Sequence, residues 1–109
     1  MRAFCKVWIE KDGQRVFSDG LADLLERVDQ CGSINRAAAE MSMSYRQAWG
    51  MIRRVEERMN TRLLVRRVGG PSGGGASLSD DGAAWLSKYR RFRKQLDDLV
   101  DTAFGREFS

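Results

Sequence analysis

Only Ser42, Met43 and Ser44 separate two segments of helical periodicity, and that short interval restricts the possible folds more than any other feature of the chain. Each segment carries its own start signal. Ser33 precedes Ile34, Ala37, Ala38 and Met41, which form a narrow apolar stripe. Ser44 precedes Ala48, Trp49, Ile52, Val55 and Met59, and Gln47 completes a Ser-x-x-Gln capping box. Two helices joined by so short a turn must cross rather than run on as one rod. The alanines at 37 and 38 allow that crossing to be close.

The flanking segments supply the rest of the core. Leu21, Leu24, Leu25 and Val28 predict a first helix near 20–31, capped by Ser18 or Asp19 and ended by Gly32. Before it, the β-branched and aromatic run 3–9, the turn pair Asp12-Gly13 and Arg15-Val16-Phe17 predict a hairpin. A lone hairpin is marginal, so Phe4, Val7, Trp8, Ile9 and Phe17 are expected against the helices or a second subunit. After Asn60, Arg62–Val68 predicts a strand and Ala76–Ser79 its return. Five of the eleven glycines fall within 69–75, which is expected to be an exposed, mobile tip. From Asp80 to about Phe104 apolar residues recur at helical spacing: Leu86, Tyr89, Phe92 or Arg93, Leu96, Leu99 or Val100, and Ala103. That helix is longer than the core requires, so part of its stripe is expected to join two subunits.

Charge separates the chain in the same places. Of 19 basic and 15 acidic side chains, residues 33–79 hold 8 and 3, whereas both ends are nearly balanced. The chain has no histidine, which excludes histidine-based acid–base catalysis and histidine-containing zinc sites. Cys5 and Cys31 are too few and too far apart for a cysteine-rich metal site. The glycine-rich stretch lacks the Gly-Lys-Ser/Thr ending of a P-loop. No cofactor is implied, and an enzyme is not expected. The start of the chain has no apolar signal core, no membrane association is expected, and the cytoplasm, where both cysteines stay reduced, is the expected location.

A short helix, a tight turn, an outward-basic helix and a two-stranded ribbon with arginine at its base make the layout of a winged helix-turn-helix. The fold expected is mostly α with small β elements: a single domain with hairpin 1–17, three-helix core 18–61, wing 62–79 and long C-terminal dimerisation helix 80–104. The third helix fits a major groove about 12 Å wide, and the wing lies along the neighbouring backbone or minor groove. The candidate DNA-binding residues are Ser44, Tyr45, Arg46, Gln47, Arg53, Arg54, Arg66 and Arg67. Two readings stand at several of them. Ser44 and Gln47 contact DNA or only cap; Tyr45 contacts DNA or covers the core. Arg53, Arg54 and Arg58 neutralise phosphates or pair with Glu56 and Glu57. Of Arg66 and Arg67, which alternate across the strand, one is expected to face DNA. Gly50 marks a close approach by another backbone or tolerated slack. Periodicity sends Trp49 to the core or its margin.

Taken together, Gly32-Ser33-Ile34, Ala37-Ala38, Ser42-x-Ser44-Tyr45-x-x-Ala48-Trp49, Leu63-Leu64-Val65-Arg66-Arg67 and Gly69-Gly70-x-x-Gly73-Gly74-Gly75-Ala76-x-Leu78-Ser79-x-x-Gly82 resemble the N-terminal DNA-binding domain of the molybdate-responsive ModE-type regulators. More distantly they resemble the LysR-type regulators. The resemblance covers about residues 18–104. It implies a sequence-specific double-stranded DNA-binding transcriptional regulator, homodimeric through the terminal helix, with Tyr45, Arg46, Gln47 and Trp49 on the recognition-helix segment. The chain ends near where the family's molybdate-binding domains begin. The expectation is therefore a regulator lacking that domain: a stand-alone relative, one served by a separate effector protein, or a fragment. The alternative is a winged-helix interaction or scaffold module that binds no DNA; its basic helix would be covered or neutralised.

Overall fold

A computed structural model describes residues 1–67 and 75–109. The expected tip over 69–74 lies outside the described residues. In chain order the elements are β1 (Trp8–Lys11), β2 (Gln14–Ser18), α1 (Asp19–Cys31), α2 (Ile34–Glu40), α3 (Tyr45–Met59), β3 (Leu64–Arg67), β4 (Gly75–Leu78) and α4 (Asp80–Phe108).

β1 and β2 pair antiparallel across Asp12-Gly13, both at positive φ as a tight two-residue turn of the primed kind requires. The strand is shorter than its composition predicts. Residues 3–7 do not pair; instead Cys5 and Val7 offer their carbonyls to α4, to the Arg93 guanidinium at 2.5 Å and the Tyr89 hydroxyl at 3.5 Å. Phe17 is fully buried and Ile9 packs on the core, while Phe4 stays uncovered (82% exposed) and Trp8 is partly covered by Arg15, whose guanidinium carbon lies 4.3 Å from its ring centre.

Ser18, not Asp19, caps α1 by accepting from the Leu21 amide. Gly32 ends it in the left-handed region that a side chain would strain (φ 71°), and its amide donates to the Val28 carbonyl at 2.7 Å. Leu21, Ala22, Leu24, Leu25 and Val28 face Ile34, Ala37 and Ala38 of α2 and Ala48, Ile52 and Val55 of α3 in one core. An ion pair between Arg27 and Glu40 at 3.1 Å ties α1 to α2 on the outside.

The wing is fastened to the helices at two points and closed at its base by a third bond. The Glu56 carboxylate on α3 accepts from the Leu63 and Leu64 amides at 2.8 and 3.3 Å. The Ala76 amide on β4 donates to the Gly32 carbonyl at the end of α1, 2.9 Å away, and the Ser79 amide donates to the Leu63 carbonyl, also at 2.9 Å. β3 and β4 pair antiparallel with Arg66 opposite Ala76 and Arg67 opposite Gly75. Gly75 is thus a strand residue, not part of the tip, because the ladder extends that far.

α4 is 29 residues long, running to Phe108 rather than stopping near 104. Its first three turns pack on the core through Gly82, Trp85, Leu86 and Tyr89. The Phe92/Arg93 ambiguity resolves in favour of Arg93 as the inward residue. Arg93 reaches Asp19 at 3.4 Å as well as Cys5, whereas Phe92 is exposed. Arg90 pairs with Asp23 and Glu26 on α1. Beyond this point the apolar stripe has little of its own chain to cover it: Leu99 is 66% and Phe108 68% exposed.

Candidate nucleic-acid interface

The first turn of α3 is built by its cap. Ser44 Oγ accepts from the Gln47 amide at 3.0 Å, and Gln47 Oε1 accepts from the Ser44 amide at 2.9 Å. Both side chains therefore cap the helix, and the carboxamide NH2 of Gln47 is left pointing away from the cap contact. Burying Ala48, Ile52 and Val55 turns Tyr45, Arg46 and Gln47 to the exposed side. Tyr45 does not cover the core, and Arg46 has no ion-pair partner among the described residues.

Arg66 crosses from the wing to join this cluster. Its Nη2 donates to the Tyr45 hydroxyl at 2.7 Å, and its guanidinium carbon lies 4.6 Å from the centre of the Trp49 ring. Tyr45 and Trp49 stand four residues apart and so share one flank of α3. Trp49 lies at the core margin, with its ring serving Arg66 and, at 6.0 Å, Arg53. Periodicity marked its marginal position; that it carries an arginine from another element was not legible, because the partner is fixed by the wing's tertiary fastening.

The other basic candidates separate from this cluster. Arg53 is exposed and faces Glu57 at 3.6 Å, a loose pair in water. Arg54 folds over Gly50 and lines a depression with Arg15, Met51 and Arg58, on the hairpin side. Arg58 does not pair with Glu56 or Glu57. It donates to the Arg15 carbonyl at 2.7 Å. Arg67 lies across Gly75 and borders a cleft of about 230 Å³ with Ser33, Asn35, Tyr45, Arg66 and Ala76. The structure therefore groups Ser44, Tyr45, Arg46, Gln47, Arg66 and Arg67 around the start of α3, places Arg53 along its flank and lays Arg54 over Gly50, between this group and the hairpin.

Five of the fifteen acidic side chains are engaged on α1 and α4. Asp19, Asp23 and Glu26 of α1 pair with Arg90 and Arg93 of α4, and Asp97 and Asp98 pair within α4. Those pairs neutralise the far side of the molecule and leave the basic excess of residues 33–79 on the α3 and wing side. Tyr89 of α4 lies in the core beside α1, where burial first, and then its bond to Asp19 at 2.6 Å, hold the phenol well above its usual range.

Residues 21–83 match the family model of the bacterial regulatory helix-turn-helix proteins, lysR family. The chain is 33% identical over 100 residues to the molybdenum transport protein ModE of Azotobacter vinelandii, covering 92% of this chain and 37% of that protein. It is 38% identical over 66 residues to the transcriptional regulator ModE of Haemophilus influenzae, covering 61% and 26%. It is 32% identical over 77 residues to the DNA-binding transcriptional dual regulator ModE of Escherichia coli K12, covering 70% and 29%. The chain spans about a third of the length of these curated relatives.

Proposed function

The chain belongs to the lysR family of bacterial regulatory helix-turn-helix proteins, and from that premise we propose that it is a sequence-specific double-stranded DNA-binding transcriptional regulator of the ModE type, working as a homodimer. The observation that carries this reading is the exposed cluster Tyr45, Arg46, Gln47 and Arg66 at the start of α3, whose arginines have no carboxylate partner among the described residues. A basic helix that served only as a scaffold would be covered or neutralised.

In this reading α3 enters the major groove start-first. Arg46 presents a planar donor fork suited to guanine O6 and N7. The Gln47 NH2 donates to a base edge; pairing with adenine through both amide atoms requires it to release the Ser44 amide. Arg53, Arg66 and Arg67 meet phosphates, adding affinity more than sequence choice. Arg54, on the hairpin side, reaches the duplex only at its margin. The names of the relatives, a transcriptional regulator and a DNA-binding dual regulator among them, support the same assignment. Two copies are joined through the exposed stripe of α4, which would set two recognition helices on successive turns of DNA.

The test is a duplex-binding selection with the chain, with and without molybdate, followed by footprinting. A two-fold symmetric site whose affinity falls as salt rises is expected. Arg46→Ala with Gln47→Ala should flatten base preference. No retained duplex in the selection, even at low salt, would overturn the assignment in favour of a non-binding interaction module.

A further inference from the structure

Arg66 is held before any ligand arrives. Its guanidinium lies against the Trp49 ring and donates to Tyr45, so a side chain with many rotamers is confined to one place. Only one of the five N–H donors that a guanidinium carries is engaged among the described residues. Tyr45 accepts from Arg66 and keeps its own O–H proton to donate. Both groups line the cleft of about 230 Å³ together with Arg67, Ser33 and Asn35. Tyr45 lines the cleft but Arg46 and Gln47 do not, so a duplex read by those two would present backbone rather than base edges here.

We propose that Tyr45, Arg66 and Arg67 seat one backbone phosphate of the duplex in this cleft, and that Trp49 is the positioning residue that holds Arg66 there. The proposal rests on the DNA-binding assignment above and adds to it a residue, Trp49, that acts without touching DNA. A stacked guanidinium is preorganised for an anion because its orientation is already set. It also links the wing to the recognition helix, so a phosphate bound by Arg66 fixes the angle at which α3 enters the groove.

The experiment measures affinity by fluorescence anisotropy over a range of salt, on the selected duplex and on a random one, for the parent, Trp49→Ala, Arg66→Ala, the double variant and Trp49→Phe. Trp49→Ala should weaken both duplexes alike, by about three- to thirty-fold. It should lower the slope of log K against log salt by about one, as Arg66→Ala does. In the Arg66→Ala background it should add less than about twofold, and Trp49→Phe, which keeps a ring face, should stay near the parent. Additive losses, or a loss confined to the selected duplex, would overturn the phosphate-seat assignment while leaving DNA binding intact. Failure of the parent to bind either duplex would overturn DNA binding itself, and this assignment with it. Thermal melts of each variant separate these outcomes from unfolding, and Trp49→Phe keeps the test informative if Trp49→Ala melts early.

Discussion

Gly82, in the first turn of α4, is buried with no room for a side chain. A Cβ built there would stand 2.1 Å from the Leu63 carbonyl oxygen and 2.9 Å from its carbon, both backbone atoms. Ordinary carbon–oxygen contact needs about 3.3 Å, so Gly82→Ala must part α4 from the base of β3 by roughly 1 Å. That movement breaks two bonds, from the Ser79 amide to Leu63 and from Ser79 Oγ to the Arg62 carbonyl at 2.5 Å. Each contributes about 1 kcal/mol. Overpacking against the fully buried Leu63 adds about 2 kcal/mol, and the better helix propensity of alanine returns about 1. The net cost is about 3 kcal/mol, which for a domain of this size lowers Tm by about 12 °C or more. Circular dichroism melts and urea titrations would measure it, with Gly105→Ala as the control, since a Cβ at 105 meets nothing within 4 Å. A Gly82→Ala protein melting within about 2 °C of its parent would refute the packing argument.

Three further outcomes are expected. Gly50→Ala should raise stability by about 1 kcal/mol, because a Cβ there meets only the flexible tip of Arg54 at 3.3 Å. It should nonetheless weaken duplex binding, because Gly50 shares a face with Arg46 and Gln47; equal affinity in anisotropy would mean the duplex does not press on the helix there. Tyr89→Phe should cost about 1 kcal/mol at neutral pH by removing the bond to Asp19. Because burial raises the folded phenol above its unfolded value of 10.0, the parent keeps the full contribution of the neutral phenol below that pH and loses it as pH climbs above 10. Urea midpoints at pH 8 and 11 should therefore fall more steeply for the parent than for Tyr89→Phe. Leu99→Glu, at a site 66% exposed, should leave a single chain's fold within about 0.5 kcal/mol but abolish the proposed pairing of two copies through α4, read as a monomer in analytical ultracentrifugation.

The two capped helices around Ser42–Ser44 were legible in full, because their cues are local. Ser33 and Ser44 cap as their spacing requires, Gly32 ends α1, and Ala37, Ala38, Ala48, Ile52 and Val55 are buried as their periodicity demands. The hairpin was legible in its turn but not its length. Residues 3–7 have strand composition, yet the carbonyls of Cys5 and Val7 find donors on α4, more than eighty residues later, which no local pattern reveals. Gly82 was visible as part of a resemblance and acquires its physical reason only from the Leu63 carbonyl beside it.

The functional candidates divide along the same line. That Arg46 and Gln47 face outward follows from the sequence alone, since burying one stripe of a 3.6-residue repeat leaves the opposite stripe in water; Tyr45, open between groove and core in the sequence, is placed outside by the fold. The basic excess of the middle of the chain is likewise a property of the sequence. Which arginines gather is not, because it depends on how the wing is hung. Glu56 and Gly32 fasten β3 and β4 so that Arg66 falls on Trp49 and Tyr45, while Arg54, only one residue beyond Arg53, turns to the hairpin. Caps, stripes and charge counts are written within a few residues of one another; the meeting of Arg66 with Trp49 joins separate elements, and only the packed fold sets the distance between them.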